Sequence, residues 1–118
     1  MRIRFEIFFL LIGLNLVTGC ANHRPNLEPI SREQKAFYRV RALHEKGESR
    51  ETLEAAERFL KRYPSGILSM PVKYYAAVNQ QRIGNLELAK QLFREIAETR
   101  PESGWTELAE SNLKSMGD

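Results

Sequence analysis

One cysteine in 118 residues, Cys20, excludes any disulfide within the chain, so packing alone must hold the fold. Two histidines, His23 and His44, are too isolated to supply the paired ligands of a metal site. No glycine-rich phosphate loop occurs, and no glutamate-flanked histidine pair. Arg82-Ile83-Gly84-Asn85 reads as a helix end rather than a nucleotide loop. Nucleophilic catalysis needs a base beside the serine or cysteine, and the sequence offers no such constellation. These gaps point away from an enzyme. Acids and bases are interspersed without a run of one sign, which argues against the basic stripe of a nucleic-acid binder. No segment alternates with the period of two that marks a half-buried strand. The longest apolar run, residues 7–17, falls short of the roughly 20 residues that span a bilayer. Asn15 interrupts it and Glu6 stands near its start.

That run is nevertheless informative. Arg2 and Arg4 precede it and Thr18-Gly19-Cys20 closes it, the order of a secretory signal. A buried structural cysteine would not need this flank. Val17-Thr18-Gly19-Cys20 resembles the lipobox of bacterial lipoproteins. The resemblance implies cleavage before Cys20, a diacylglyceryl group on its sulfur and an N-acyl chain such as palmitate on the new terminus. It implies no other cofactor. Everything beyond Cys20 would then lie outside the cytoplasm, tied to a membrane by lipid. Ala21 stands where aspartate would signal retention, which in lipoproteins of enteric-type bacteria implies the periplasmic side of the outer membrane. Glu6 departs from the purely basic start of that pattern.

With residues 1–19 as signal, the remaining chain carries 16 basic and 14 acidic residues and is long enough for one small domain. Residues 20–30, with two prolines and no periodicity, read as the lipidated cysteine and a flexible tether. The domain is expected over 31–118.

Five amphipathic helices are expected there. Ser31 with Gln34 makes a capping box, and the first helix closes at Gly47. Ser49 caps the second. Its apolar face is Thr52, Leu53, Ala55, Ala56, Phe59, Leu60 and Tyr63, and Pro64-Ser65-Gly66 ends it. Ser69 starts the third, with Pro71 in its first turn and Gly84 at its end. Asn85 caps the fourth, which turns Leu86, Leu88, Ala89, Leu92, Phe93, Ile96 and Ala97 to one side before Pro101. Ser103 begins the fifth, with a stripe of Trp105, Leu108, Ala109, Leu113 and Met116.

These helices repeat. Gly47 and Gly84 lie 37 residues apart, as do Pro64 and Pro101, Ala56 and Phe93, and the pairs Phe37-Tyr38 and Tyr74-Tyr75. One offset joining turns, stops and core positions indicates two copies of a helix-turn-helix unit. Gly84, Ala89, Phe93 and Pro101 resemble the tetratricopeptide pattern of turn glycine, small residue, aromatic and closing proline. The resemblance is degenerate. Thr52 and Ala56 occupy the small and aromatic positions of the first copy, Ala76 and Gln80 stand where leucine and tyrosine are preferred, and 37 exceeds the usual 34 or so. It covers residues 32–116. The tail Arg100-Pro101-Glu102-Ser103-Gly104-Trp105 is similar to the ends of repeats in envelope lipoproteins of the outer-membrane assembly type. The expected fold is all-α, two tetratricopeptide-like repeats plus a C-terminal capping helix.

Such a fold implies a protein-binding module. Arrays usually need at least three units, and the first repeat has no cap, so a partner, a second copy in a homodimer or the tether itself is expected on its open face. The concave face of such arrays is built from the first helix of each pair. Here it would carry Gln34, Tyr38, Arg41 and Glu45, then Pro71, Tyr75, Val78 and Arg82. Aromatic and arginine side chains suit the centre of an interface with a peptide or helix. The sequence-level expectation is a lipid-anchored scaffold that binds another envelope protein or a peptide segment of it, with no nucleic acid. Two alternatives stand beside it: a pilotin-like chaperone for a secretin or pilus component, and a structural lipoprotein with no specific client.

Overall fold

In the computed structural model residues 28–117 are described. Cys20, His23, the signal and most of the tether lie outside the described residues. Five helices follow in order: α1 (Arg32–Glu45), α2 (Ser49–Arg62), α3 (Ser69–Arg82), α4 (Leu86–Ala97) and α5 (Gly104–Ser115). No strand occurs among the described residues. Each helix packs on the next, α3 also touches α1, and α5 also touches α3. This is the stacking of a helical repeat in which α1 and α3 are first helices and α2 and α4 second ones.

The two turns are copies of one another. Gly47 has φ +76° and Gly84 φ +90°. The Gly47 N–H donates to the His44 carbonyl and the Glu48 N–H to Leu43, while the Gly84 N–H donates to Gln81 and the Asn85 N–H to Gln80. Each pair of bonds closes a helix on a left-handed residue, a conformation in which a Cβ is costly. The 37-residue offset therefore survives down to individual hydrogen bonds.

Two apolar clusters flank α3. Val40, Ala55, Ala56, Phe59, Val72 and Ala76 form the first, and Ala77, Ala89, Phe93, Ile96, Ala109 and Leu113 the second. Because α3 is covered on both sides, it shows no clean polar face in sequence. Thr52 and Ala89, equivalent across the offset, are both fully buried. Thr52 meets this by donating its hydroxyl to the Glu48 carbonyl at 2.7 Å, so a polar residue fills a small-residue position without an unpaired group.

Several local expectations need correcting. Ser49 is the first residue of α2 rather than its cap; Glu48 holds that position without a side-chain capping bond. Asn85 does sit at the start of α4, but its amide donates to Gln80 Oε1 at 2.9 Å and leaves the helix end uncapped by a side chain. At Ser31 the box forms as expected, with Gln34 N–H on Ser31 Oγ at 3.1 Å and Ser31 N–H on Gln34 Oε1 at 2.9 Å. At α5 the box uses Thr106, whose Oγ1 accepts from the Ser103 N–H at 2.8 Å. Leu86, Leu88 and Leu108, placed on the apolar sides of their helices by angular position, are exposed. A helical wheel gives direction only; among the described residues no further helix lies above these three to cover them.

Candidate functional site

The first-helix face carries a continuous row of aromatic rings. Tyr38 stands at its edge, 49% exposed, with Phe37 next to it at 5.7 Å between ring centroids. Phe37 stacks on Tyr75 at 6.3 Å, crossing from α1 to α3. Tyr75 meets Trp105 of α5 edge-on at 6.2 Å, and Tyr74 lies 5.4 Å from Trp105 and 5.8 Å from Phe93. The row thus spans α1, α3 and α5. Each such contact between helices contributes about 0.5–1.5 kcal/mol beyond simple burial, and each ring keeps a rigid surface with little rotamer freedom to lose on binding. Burial pushes the Tyr75 phenol above its ordinary pKa, so it is a neutral hydroxyl at physiological pH.

Beside the row lies a polar cluster. Fully buried Asn79 donates from Nδ2 to the Tyr75 carbonyl at 2.7 Å and to His44 Nδ1 at 2.9 Å. Arg82 Nη1 reaches His44 Nδ1 at 3.4 Å, the His44 carbonyl at 3.3 Å and Asn79 Oδ1 at 3.4 Å. Both groups facing Nδ1 are donors, so Nδ1 accepts and the ring proton resides on Nε2. The imidazole stacks on Tyr75 at 4.5 Å. Burial, then the Arg82 charge, lowers the His44 pKa, which keeps it neutral.

The residues read from sequence as the concave face are used in different ways. Gln34 is committed to the cap of α1. Tyr38 is free at the edge of the row. Arg41 Nε donates to Glu45 Oε1 at 2.9 Å, an exposed pair one turn apart. Tyr75 is half-buried at the centre, and Val78 is half-buried against the second cluster. Arg82 is exposed and tied back to α1. Pro71 is buried. Sequence reasoning missed Asn79, Tyr74 and Trp105. The pairing of Phe37-Tyr38 with Tyr74-Tyr75 hinted at Tyr74, but the place of Trp105 depends on how α5 docks. That docking is fixed partly by Asn112 Nδ2, which donates to the Tyr74 hydroxyl at 3.1 Å.

The interspersed charges of the sequence also regroup in the fold. Arg32, Lys35, Arg39, Arg58 and Arg62 line one groove between α1 and α2, so a local basic patch exists where the linear order showed none. Among the described residues no group of three or more His, Cys, Asp or Glu side chains could hold a metal ion. No helix among them is long and apolar enough to cross a membrane.

Residues 72–103 match the family model of the tetratricopeptide repeat. The match takes in most of α3, the Gly84 turn, all of α4 and the loop to Ser103. No curated protein and no solved structure matches the chain. The chain is an all-α helical repeat whose second unit is similar to the tetratricopeptide repeat and whose first unit copies that one 37 residues upstream.

Proposed function

We propose that this protein is a lipid-anchored interaction module of the bacterial envelope, holding a peptide or helix of another envelope protein on its first-helix face. The aromatic row from Tyr38 to Trp105 carries the reading. It presents half-exposed rings on three helices, next to the arginines Arg41 and Arg82, and such side chains dominate the centres of protein interfaces. The tetratricopeptide match to residues 72–103 supports a protein partner. The lipobox-like Val17-Thr18-Gly19-Cys20 supports the anchor, with a diacylglyceryl group and an N-acyl chain on Cys20, and Ala21 after it supports the outer membrane as its site. Confinement beside one bilayer raises the effective concentration for partners there, so a small site with weak intrinsic affinity suffices.

Two measurements test this. Radiolabelled palmitate should enter the wild-type chain in cells and be absent from Cys20→Ala; equal labelling would refute the anchor. Cross-linking in intact cells should capture one reproducible envelope protein with wild type and lose it with Tyr38→Ala/Arg41→Ala, while the melting temperature holds. No reproducible product would leave a structural lipoprotein.

A further inference from the structure

Helices α1 and α3 correspond residue for residue at the 37-residue offset, Arg32–Glu45 against Ser69–Arg82. In the second repeat Ser69, Val72 and Ala76 share one side of α3, and all three are buried. Val72 and Ala76 pack in one cluster with Ala55, Ala56 and Phe59 of α2, and Leu92 of α4 joins them. The groove between α3 and α4 is thus the seat of the preceding helix, α2. Its counterpart in the first repeat is the groove between α1 and α2. Among the described residues no helix precedes α1, so this second seat is uncovered.

The two seats differ in one respect. Where α3 has Ser69, Val72 and Ala76, α1 has Arg32, Lys35 and Arg39, all exposed. Arg58 and Arg62, one turn apart on α2, form the facing rim. Between the rims the small side chains of Ala36 and Ala55 leave a trough, with Phe59 beneath and Tyr63 at its end. No acidic side chain lines it. None of the five cations is held in an ion pair among the described residues, and Arg62 lies 5.8 Å from the Tyr63 ring centre. Lys35 with Arg39, and Arg58 with Arg62, are like charges one turn apart, which slightly destabilise their helices.

The position in the stack and the chemistry of the rims together select the occupant. A groove between the helices of one repeat receives a helix, as α2 on α3 and α4 shows. A wholly apolar helix laid here would desolvate the rim cations without giving them partners. Acidic side chains on both flanks of its apolar ridge would pair them. We infer that the groove between α1 and α2 seats an amphipathic helix of another protein. Its apolar ridge lies along Ala36 and Ala55, and its glutamates or aspartates face Arg32, Lys35 and Arg39 on one side and Arg58 and Arg62 on the other. This is an interface beyond the aromatic row, and it holds whether or not Cys20 carries lipid.

The experiment uses the full chain in neutral detergent and a fluorescently labelled synthetic peptide of about 20 residues, with leucine and alanine on one helical face and glutamate on both flanks. A scrambled peptide of the same composition is the control. Fluorescence polarisation should show the amphipathic peptide binding about tenfold tighter than the scrambled one, and more weakly in high salt. Arg32→Ser/Lys35→Val/Arg39→Ala gives α1 the residues that α3 carries. It should lose about tenfold in affinity while circular dichroism keeps its helix content. Emission of Trp105, the one tryptophan, should not respond to the peptide. Equal affinity for the scrambled peptide would overturn the inference and leave a surface for any polyanion. An affinity unmoved by the triple variant, with Trp105 emission altered, would overturn it by placing the peptide on the aromatic row. Binding of phosphatidylglycerol vesicles without binding of the peptide would overturn it in favour of a membrane. Self-association of wild type that excludes the peptide would overturn it in favour of a second copy. The comparison of the two peptides uses one folded wild-type protein, so it does not depend on the variant folding.

Discussion

Asn79 and His44 face each other across the first pair of like helices, with Asn79 Nδ2 donating to His44 Nδ1 at 2.9 Å. Asn79 is fully buried and every bond it makes ties α3 either to itself or to α1. Removing its side chain breaks the bond to the His44 ring and empties a fully buried position, a loss of about 1–3 kcal/mol. Asn79→Ala should therefore lower the urea midpoint markedly. The double variant Asn79→Ala/His44→Ala should lose less than the sum of the singles, since both break one contact. Strict additivity would show that the bond contributes nothing to stability.

The same pair makes the fold sensitive to acid. Burial and Arg82 depress the His44 pKa below its unfolded value of 6.5. The unfolded chain then binds a proton more readily than the folded one, so stability rises with pH through this window. The contribution is complete above about 6.5 and is lost as pH falls through the depressed value. Glu45 opposes the shift without reversing it. Melting temperatures measured from about pH 7.5 down to about pH 5 should decline in wild type and decline less in His44→Gln. A steeper fall in the variant would refute this.

The glycines separate conformational need from space. Gly84 has φ +90° and nothing within 4 Å of where a methyl group would sit, so Gly84→Ala should cost about 1–2 kcal/mol from backbone strain alone. Gly84→Asn should cost less, because asparagine tolerates the left-handed region. Gly104, at the start of α5, is equally uncrowded but has no positive φ. Gly104→Ala should stabilise by about 0.4–1 kcal/mol by restricting the unfolded chain. Thermal unfolding of the three variants checks the opposite signs.

Phe93 and Tyr38 lie in one fold with different duties. Phe93 is fully buried in the second cluster, and Phe93→Ala should cost about 3–5 kcal/mol. Tyr38 is half exposed at the end of the aromatic row, so Tyr38→Ala should move stability by about 0.5 kcal/mol or less. Its effect belongs to partner capture. Chemical unfolding of both variants decides whether Tyr38 is surface or core.

Much of the architecture was legible in the residues. Gly47 and Gly84, Pro64 and Pro101, and the apolar stripes of α2 and α4 are local signals, because a helix pattern and a turn need only neighbours along the chain. They established an all-α chain, a 37-residue repeat and helix limits close to those of the structure, the fourth helix ending at Ala97 instead of running up to Pro101. Caps were less legible. Ser49 and Asn85 are residue types that cap well, yet Asn85 is drawn to Gln80 and Ser49 is already helical.

The candidate site was only partly legible. Sequence placed Tyr38, Arg41, Tyr75 and Arg82 along one line of the first helices, since angular position follows from counting residues. It could not place Trp105 in the row, join Asn79 to His44, or gather Arg32, Lys35, Arg39, Arg58 and Arg62 into one groove. Those relationships depend on the distance and crossing of helices separated in the chain, which packing of the two clusters against α3 decides. Burial follows the same logic: Leu88 and Ala89 are adjacent in sequence, but one is exposed and the other fully covered, because α5 and α3 reach only one side of α4.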